Sequence, residues 1–179
     1  MNLHITGFGP FPGVEVNPSA SVARGLADRF GLAWTELPVV CSAVDAFLVE
    51  VQADGLLMLG VDIKADRLRL ETVGQNRLDA RMDAEGRPVG PGLIDPKAPG
   101  RLGATLWHRE EAWLSGDWDR GTDAGGYLCN YALFSALWRR PEVPAGFIHI
   151  PPPEVLAVEA QVEALAPLVQ LLLEPCPTA

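Results

Sequence analysis

Gly55-Leu56-Leu57-Met58-Leu59-Gly60-Val61 is the stretch from which the fold can be read. A strand with one wet face alternates polar and apolar residues. This one has no polar side chain at all, so it belongs in a parallel sheet covered by helices on both faces. On its N-terminal side, residues 2–6 form a first strand that ends in a Gly/Pro loop. Asn17 or Ser19 caps a helix running to about residue 29, with Val22, Leu26 and Phe30 on its buried side. Residues 34–40 read as a second strand and 44–51 as a short helix. On its C-terminal side, residues 67–78 alternate in polarity around Glu71, as one strand of a hairpin or edge. Residues 82–100 are rich in glycine and proline and read as a long loop. Residues 103–114 fit a helix, as do 127–140. Ala145–Ile150 is a short buried strand stopped by Pro151 to Pro153, and 154–174 is an amphipathic helix bent near Pro167. The order βαβαβ followed by β, α, β, α specifies an α/β fold: three layers, α/β/α, around a mostly parallel twisted sheet. No repeat or linker interrupts the pattern, so residues 1–179 read as a single domain.

Composition narrows the function. Hydrophobic residues make up 48% of the chain, which argues against disorder. A net charge of −9 without a basic stripe argues against a nucleic-acid partner. His4 and Pro10 interrupt any secretory leader, and Glu159, Gln161, Glu163 and Pro167 spoil the best membrane candidate, residues 155–173. Neither membrane insertion nor export is therefore expected. Three cysteines (Cys41, Cys129, Cys176) without a leader point to reduced thiols in the cytoplasm. His4, His108 and His149 are too dispersed for a metal site, so no metal or other cofactor is expected. Gly7, Gly9 and Gly13 do not make a dinucleotide fingerprint. The last interval is one residue too long, and Pro10 and Pro12 lack the N–H donors that cradle pyrophosphate.

Three segments carry possible chemistry. In Gly125-Gly126-Tyr127-Leu128-Cys129-Asn130, two glycines lead into an apolar run with helical spacing. Cys129 falls in the first turn, where unpaired N–H groups and the helix dipole favour a thiol's anionic form. The plain alternative is a small buried hydrophobe. His149 lies near the C-terminal end of an apolar strand, where open α/β sheets place their chemistry; the alternative is a core histidine bonded to a carbonyl. Glu71 sits in an alternating strand and is otherwise one more solvated glutamate. Together they supply a nucleophile, its base and the group that orients the base.

Four segments in order resemble the type I pyroglutamyl peptidases, cysteine peptidases that remove an N-terminal pyroglutamyl residue. Thr6-Gly7-Phe8-Gly9-Pro10-Phe11-Pro12-Gly13, continuing to Asn17-Pro18-Ser19, is similar to the family's N-terminal signature. The stretch from Glu71 to Asp79-Ala80-Arg81 is similar to the strand with its catalytic glutamate and a downstream arginine. Ala124 to Asn130 is similar to the nucleophile motif, and Gly146 to Pro151 to the histidine motif. The resemblance implies a phosphorylase/hydrolase-like fold and a catalytic group of Glu71, Cys129 and His149. It also implies a lactam pocket walled by Phe8 and Phe11, with Tyr127, Leu128 and Arg81 in contact with substrate. A peptide with N-terminal pyroglutamate is the implied partner. Members commonly form tetramers, so a homo-oligomer is implied, although the shortened surface elements argue against carrying the tetramer over. The turn after the 55–60 strand departs from the family's Gly-Gln-Ala-Gly-Gly-Arg. Val61 stands where a lactam-binding glutamine is usual, with Asp62 beside it as a candidate replacement. Two other readings stay open: a hydrolase of the same fold for another small amide or lactam cap, and a binding homologue without turnover.

Overall fold

The computed structural model describes residues 1–107 and 118–174. The 55–61 run is strand β3 (Gly55–Val61), buried along its whole length. It sits at the centre of a six-stranded sheet with β1 (Leu3–Phe8), β2 (Ala33–Leu37), β4 (Arg69–Glu71), β9 (Asp119–Gly121) and β10 (Ala145–Ile150), in the order β2-β1-β3-β10-β4-β9. All neighbours pair in parallel except β10 with β4, which are antiparallel.

Alternation along β3 builds two cores. Leu57 and Leu59 face α1 (Pro18–Phe30) and α4 (Val158–Leu173), meeting Val22, Leu26, Leu165 and Leu168. Leu56 and Met58 face α2 (Cys41–Glu50) and α3 (Leu128–Arg139), meeting Val44, Leu48 and Leu133. The result is the three-layer α/β/α arrangement. Each of these leucines contributes about 1.5–3 kcal/mol by leaving water. At α1, Asn17, one of the two caps the sequence offers, accepts the Ser19 N–H at 3.2 Å, and Pro18 fills the first turn. At the other end of the chain, buried Gln161 of α4 donates to the carbonyls of Pro151 at 3.0 Å and Leu156 at 2.6 Å. No helix among the described residues is long and apolar enough to cross a membrane.

Three expectations change. The strand expected over 67–78 is divided. β4 ends at Glu71, and β5 (Val73–Gln75) pairs with β8 (Arg101–Gly103) in a separate two-stranded sheet. The chain leaves one sheet for the other at Thr72, whose N–H and hydroxyl both donate to the Gly121 carbonyl at 2.8 Å. Thr72 in turn accepts from the Ala104 N–H. Residues 103–114 do not begin as a helix, because Gly103 ends β8 and residues 104–107 are non-helical; residues 108–117 lie outside the described part. The 82–100 loop contains a short hairpin of β6 (Arg81–Met82) and β7 (Pro88–Val89). Buried Asn76 anchors its far end, bonding Asp95 twice and the Ala98 carbonyl once.

Candidate active site

His149 stands one residue before the end of β10, and Glu71 is the last residue of β4. In the antiparallel register Phe147 lies opposite Glu71 and His149 opposite Arg69. Glu71 is therefore the diagonal neighbour of His149, within reach of a long side chain on the same face. Glu71 Oε1 lies 2.8 Å from His149 Nδ1. Cys129, the second residue of α3, brings its Sγ close to Gly60, the β3 residue that pairs with His149, and acts electrostatically on the imidazole. Carboxylate, imidazole and thiol, separated by up to 78 positions in sequence, are thus brought together.

The electrostatics follow from burial and contact. Burial by itself draws the His149 imidazole toward neutrality, but the charge and hydrogen bond of Cys129 outweigh it, together with those of Glu71. The ring is pushed up to about 9 and is protonated at neutral pH. Burial likewise works against the Glu71 carboxylate, which is 0% exposed, yet donors from His149 and Arg69 hold it below the usual carboxylate range. No side chain caps α3 at Tyr127, so the first N–H groups of the helix stay available beside the thiol.

Two glycines clear space for this group. A Cβ on Gly60, at the end of β3, would lie 2.9 Å from Cys129 Sγ and 2.7 Å from the Phe147 ring. One on Gly121 of β9 would overlap the Glu71 carboxylate. Asn130, fully buried, fixes the start of α3 against β5. It accepts the Gln75 N–H at 2.8 Å and donates to the carbonyls of Gln75 (2.8 Å) and Arg77 (2.9 Å).

Cys129 and His149 open onto a cavity of about 440 Å³. Phe8, Phe11, Tyr127, Leu128 and Arg81 all line it, so the residues named from the sequence meet in one place. The Phe8 side chain is buried at the end of β1. The Phe11 ring lies 6.3 Å from that of Tyr127, and the Arg81 guanidinium sits 5.4 Å over the Tyr127 ring. Val61 and Asp62 also line the cavity. Asp62 is already engaged, accepting the Lys64 N–H at 3.0 Å on one oxygen and Arg69 at 2.6 Å on the other.

A model of the family described as pyroglutamyl peptidase matches residues 1–171. The chain belongs to that family. A pyrrolidone-carboxylate peptidase of Deinococcus radiodurans is 33% identical over 168 residues, covering 83% of this chain and 77% of the relative. One from Gloeobacter violaceus is 34% identical, covering 84% and 82%. The crystal structure of the pyrrolidone carboxyl peptidase from Thermus thermophilus superposes with a TM-score of 0.79 at 34% identity, over 96% of this chain and 98% of that one.

The sequence reading missed Arg69, Gly60, Gly121 and the anchoring role of Asn130. Arg69 had a signal: it precedes Glu71 by two on a strand and so shares its face. The glycines had none, because their neighbours come from other strands and helices.

Proposed function

We propose that the chain is a cysteine-type omega peptidase that removes an N-terminal pyroglutamyl residue from peptides through a thioester acyl-enzyme. Glu71, His149 and Cys129 are its catalytic group. The observation that carries the reading is the 2.8 Å bond between Glu71 and His149, with His149 and Cys129 together on the wall of a cavity that two phenylalanines also line. Cys129 attacks the carbonyl that joins the pyroglutamyl group to the next residue. N–H groups at the uncapped start of α3 are the oxyanion donors, with Arg81 nearby. His149 then protonates the leaving amine through the ring nitrogen facing Cys129, while Glu71 keeps the other nitrogen protonated and the ring oriented. Water, deprotonated by His149, hydrolyses the thioester and regenerates the thiol. Phe8 and Phe11 flank the lactam, and Tyr127 and Leu128 complete its surroundings. A glutamate does the work of an aspartate here because the diagonal strand position needs the longer side chain.

The test is release of a fluorescent amine from a pyroglutamyl-arylamide by the unmodified protein and by Cys129→Ala, with a prolyl-arylamide lacking the ring carbonyl as control. Release by the unmodified protein alone, from the pyroglutamyl substrate alone, is expected. A second reading, hydrolysis of another small amide or lactam cap, has one observation in its favour. The cavity wall offers Val61 where a polar side chain would bond the lactam, and Asp62 is taken by Arg69. A reactive Cys129 with no turnover of the pyroglutamyl substrate would select it.

A further inference from the structure

Arg69 is tied at both ends. Its Nε donates to Glu71 Oε1 at 2.8 Å, the same oxygen that His149 Nδ1 contacts at 2.8 Å. Its Nη2 donates to Asp62 Oδ2 at 2.6 Å, and Asp62 Oδ1 is held by the Lys64 N–H. The turn after β3 thus locks the guanidinium, and the guanidinium locks the oxygen that faces the imidazole. We propose that Arg69 is a positioning residue for the Cys129–His149–Glu71 group and that Asp62 is the counter-ion that holds it. The proposal rests on reading that group as catalytic.

The reason lies in how charge moves through the reaction. Glu71 is fully buried, and a buried anion without compensation is strongly disfavoured. While His149 carries its proton, the imidazolium compensates the carboxylate. When that proton passes to the nitrogen of the leaving amine as the carbon–nitrogen bond breaks, the compensation goes with it. Without a second cation Glu71 would hold the imidazolium proton too firmly to release it. Arg69 never gives up its charge, so the carboxylate stays compensated on both sides of the transfer. Among the described residues, the charged groups around Glu71 are Arg69 on its own strand, His149 on β10, Asp62 beyond Arg69 and Cys129 beyond His149. From β9 it meets Gly121, which has no side chain.

The experiment uses Arg69→Gln, Arg69→Lys and Asp62→Asn, with circular dichroism to establish folding. Two quantities are followed from about pH 4 to pH 10: the alkylation rate of Cys129 by iodoacetamide, and kcat and KM on a pyroglutamyl-arylamide. In Arg69→Gln the buried carboxylate loses one of its two donors. It therefore protonates at a higher pH, and the acid limb of Cys129 alkylation moves up by about one pH unit. The expected fall in kcat is about 10- to 100-fold, the range for groups that orient a reacting residue, with KM within about threefold. Arg69→Lys, which restores the charge, returns the limb toward its original place. Asp62→Asn leaves the limb where it was and loses less activity than Arg69→Gln. An unmoved acid limb in folded Arg69→Gln overturns the proposal. So does an equal loss at every pH in Arg69→Gln and Arg69→Lys alike, since that is a purely structural effect. Alkylation needs no substrate, so failure of the unmodified protein to cleave the arylamide would count against the proposed function and leave this measurement intact.

Discussion

Cys41 and Cys129 hold the same local position in different neighbourhoods. Each falls within the first two residues of a helix, each helix lacks a side-chain cap, and both thiols are half-buried. If a helix N-terminus were enough to activate a thiol, the two would behave alike. Cys41 instead is pushed up to about 11, first by burial and then by Asp45 and Asp83. Cys129 has His149 beside it on the same cavity wall, and Glu71 bonded to that imidazole. The helix dipole, at most about 1 kcal/mol in ordinary settings, is outweighed by burial and acidic neighbours at Cys41. What separates the two sites is an imidazole delivered by a strand from elsewhere in the chain.

The largest test of that contrast is removal of each sulfur. Cys129→Ala should lower kcat/KM on a pyroglutamyl-arylamide by about 10⁴-fold or more, as loss of a nucleophile does, whereas Cys41→Ser should stay within about twofold. Comparable losses would dissolve the distinction. Next in size is alkylation at about pH 7.5. With a thiol at about 11, only about one Cys41 in 10³–10⁴ is a thiolate. Mass spectrometry should find Cys129 modified about 100-fold faster, and equal rates would mean that His149 does not activate it. A smaller effect separates the sites by pH. His149 is protonated below its raised value of about 9 and loses that proton above it. kcat/KM should therefore hold toward pH 9 and fall as pH rises further, while Cys41 alkylation keeps climbing toward pH 11. An activity limb near pH 6.5, the ordinary imidazole value, would show that neither Cys129 nor Glu71 supports the imidazolium. The smallest is steric. Gly60→Ala places a methyl against Cys129 Sγ and Phe147, and should cost about 1–3 kcal/mol of stability in a urea titration. Gly103→Ala, which meets nothing within 4 Å, should cost less than about 0.5 kcal/mol.

The same contrast between local position and distant neighbours governs what could be read in the sequence. β3 and β10 were legible because each buries every residue, and an apolar run of that length bounded by glycine or proline fits little besides a strand covered on both faces. Cys129, His149 and Glu71 were found because their residue types are chemically unusual at strand ends and helix starts. The break at Thr72 was not legible. Polarity keeps alternating from β4 into β5, so the period is unchanged while the pairing partner switches from β10 to β8. Residues 101–103 are too few to show a strand period, which let the following apolar residues suggest a helix. Gly60, Gly121 and the bond from Asp62 to Arg69 depend on what another part of the chain brings within 3 Å, and no local pattern records that.

The two bonds from Gln161 bear on how material reaches the thiol. They fasten the segment just after His149 to a helix that is itself packed on the sheet. The segment just beyond the imidazole is thus tied into the frame of the molecule. Ile63, by contrast, lines the cavity and faces solvent, so peptide and product pass along it. A change to the exposed Ile63 side chain should alter how fast products leave while the chemistry at Cys129 proceeds unchanged.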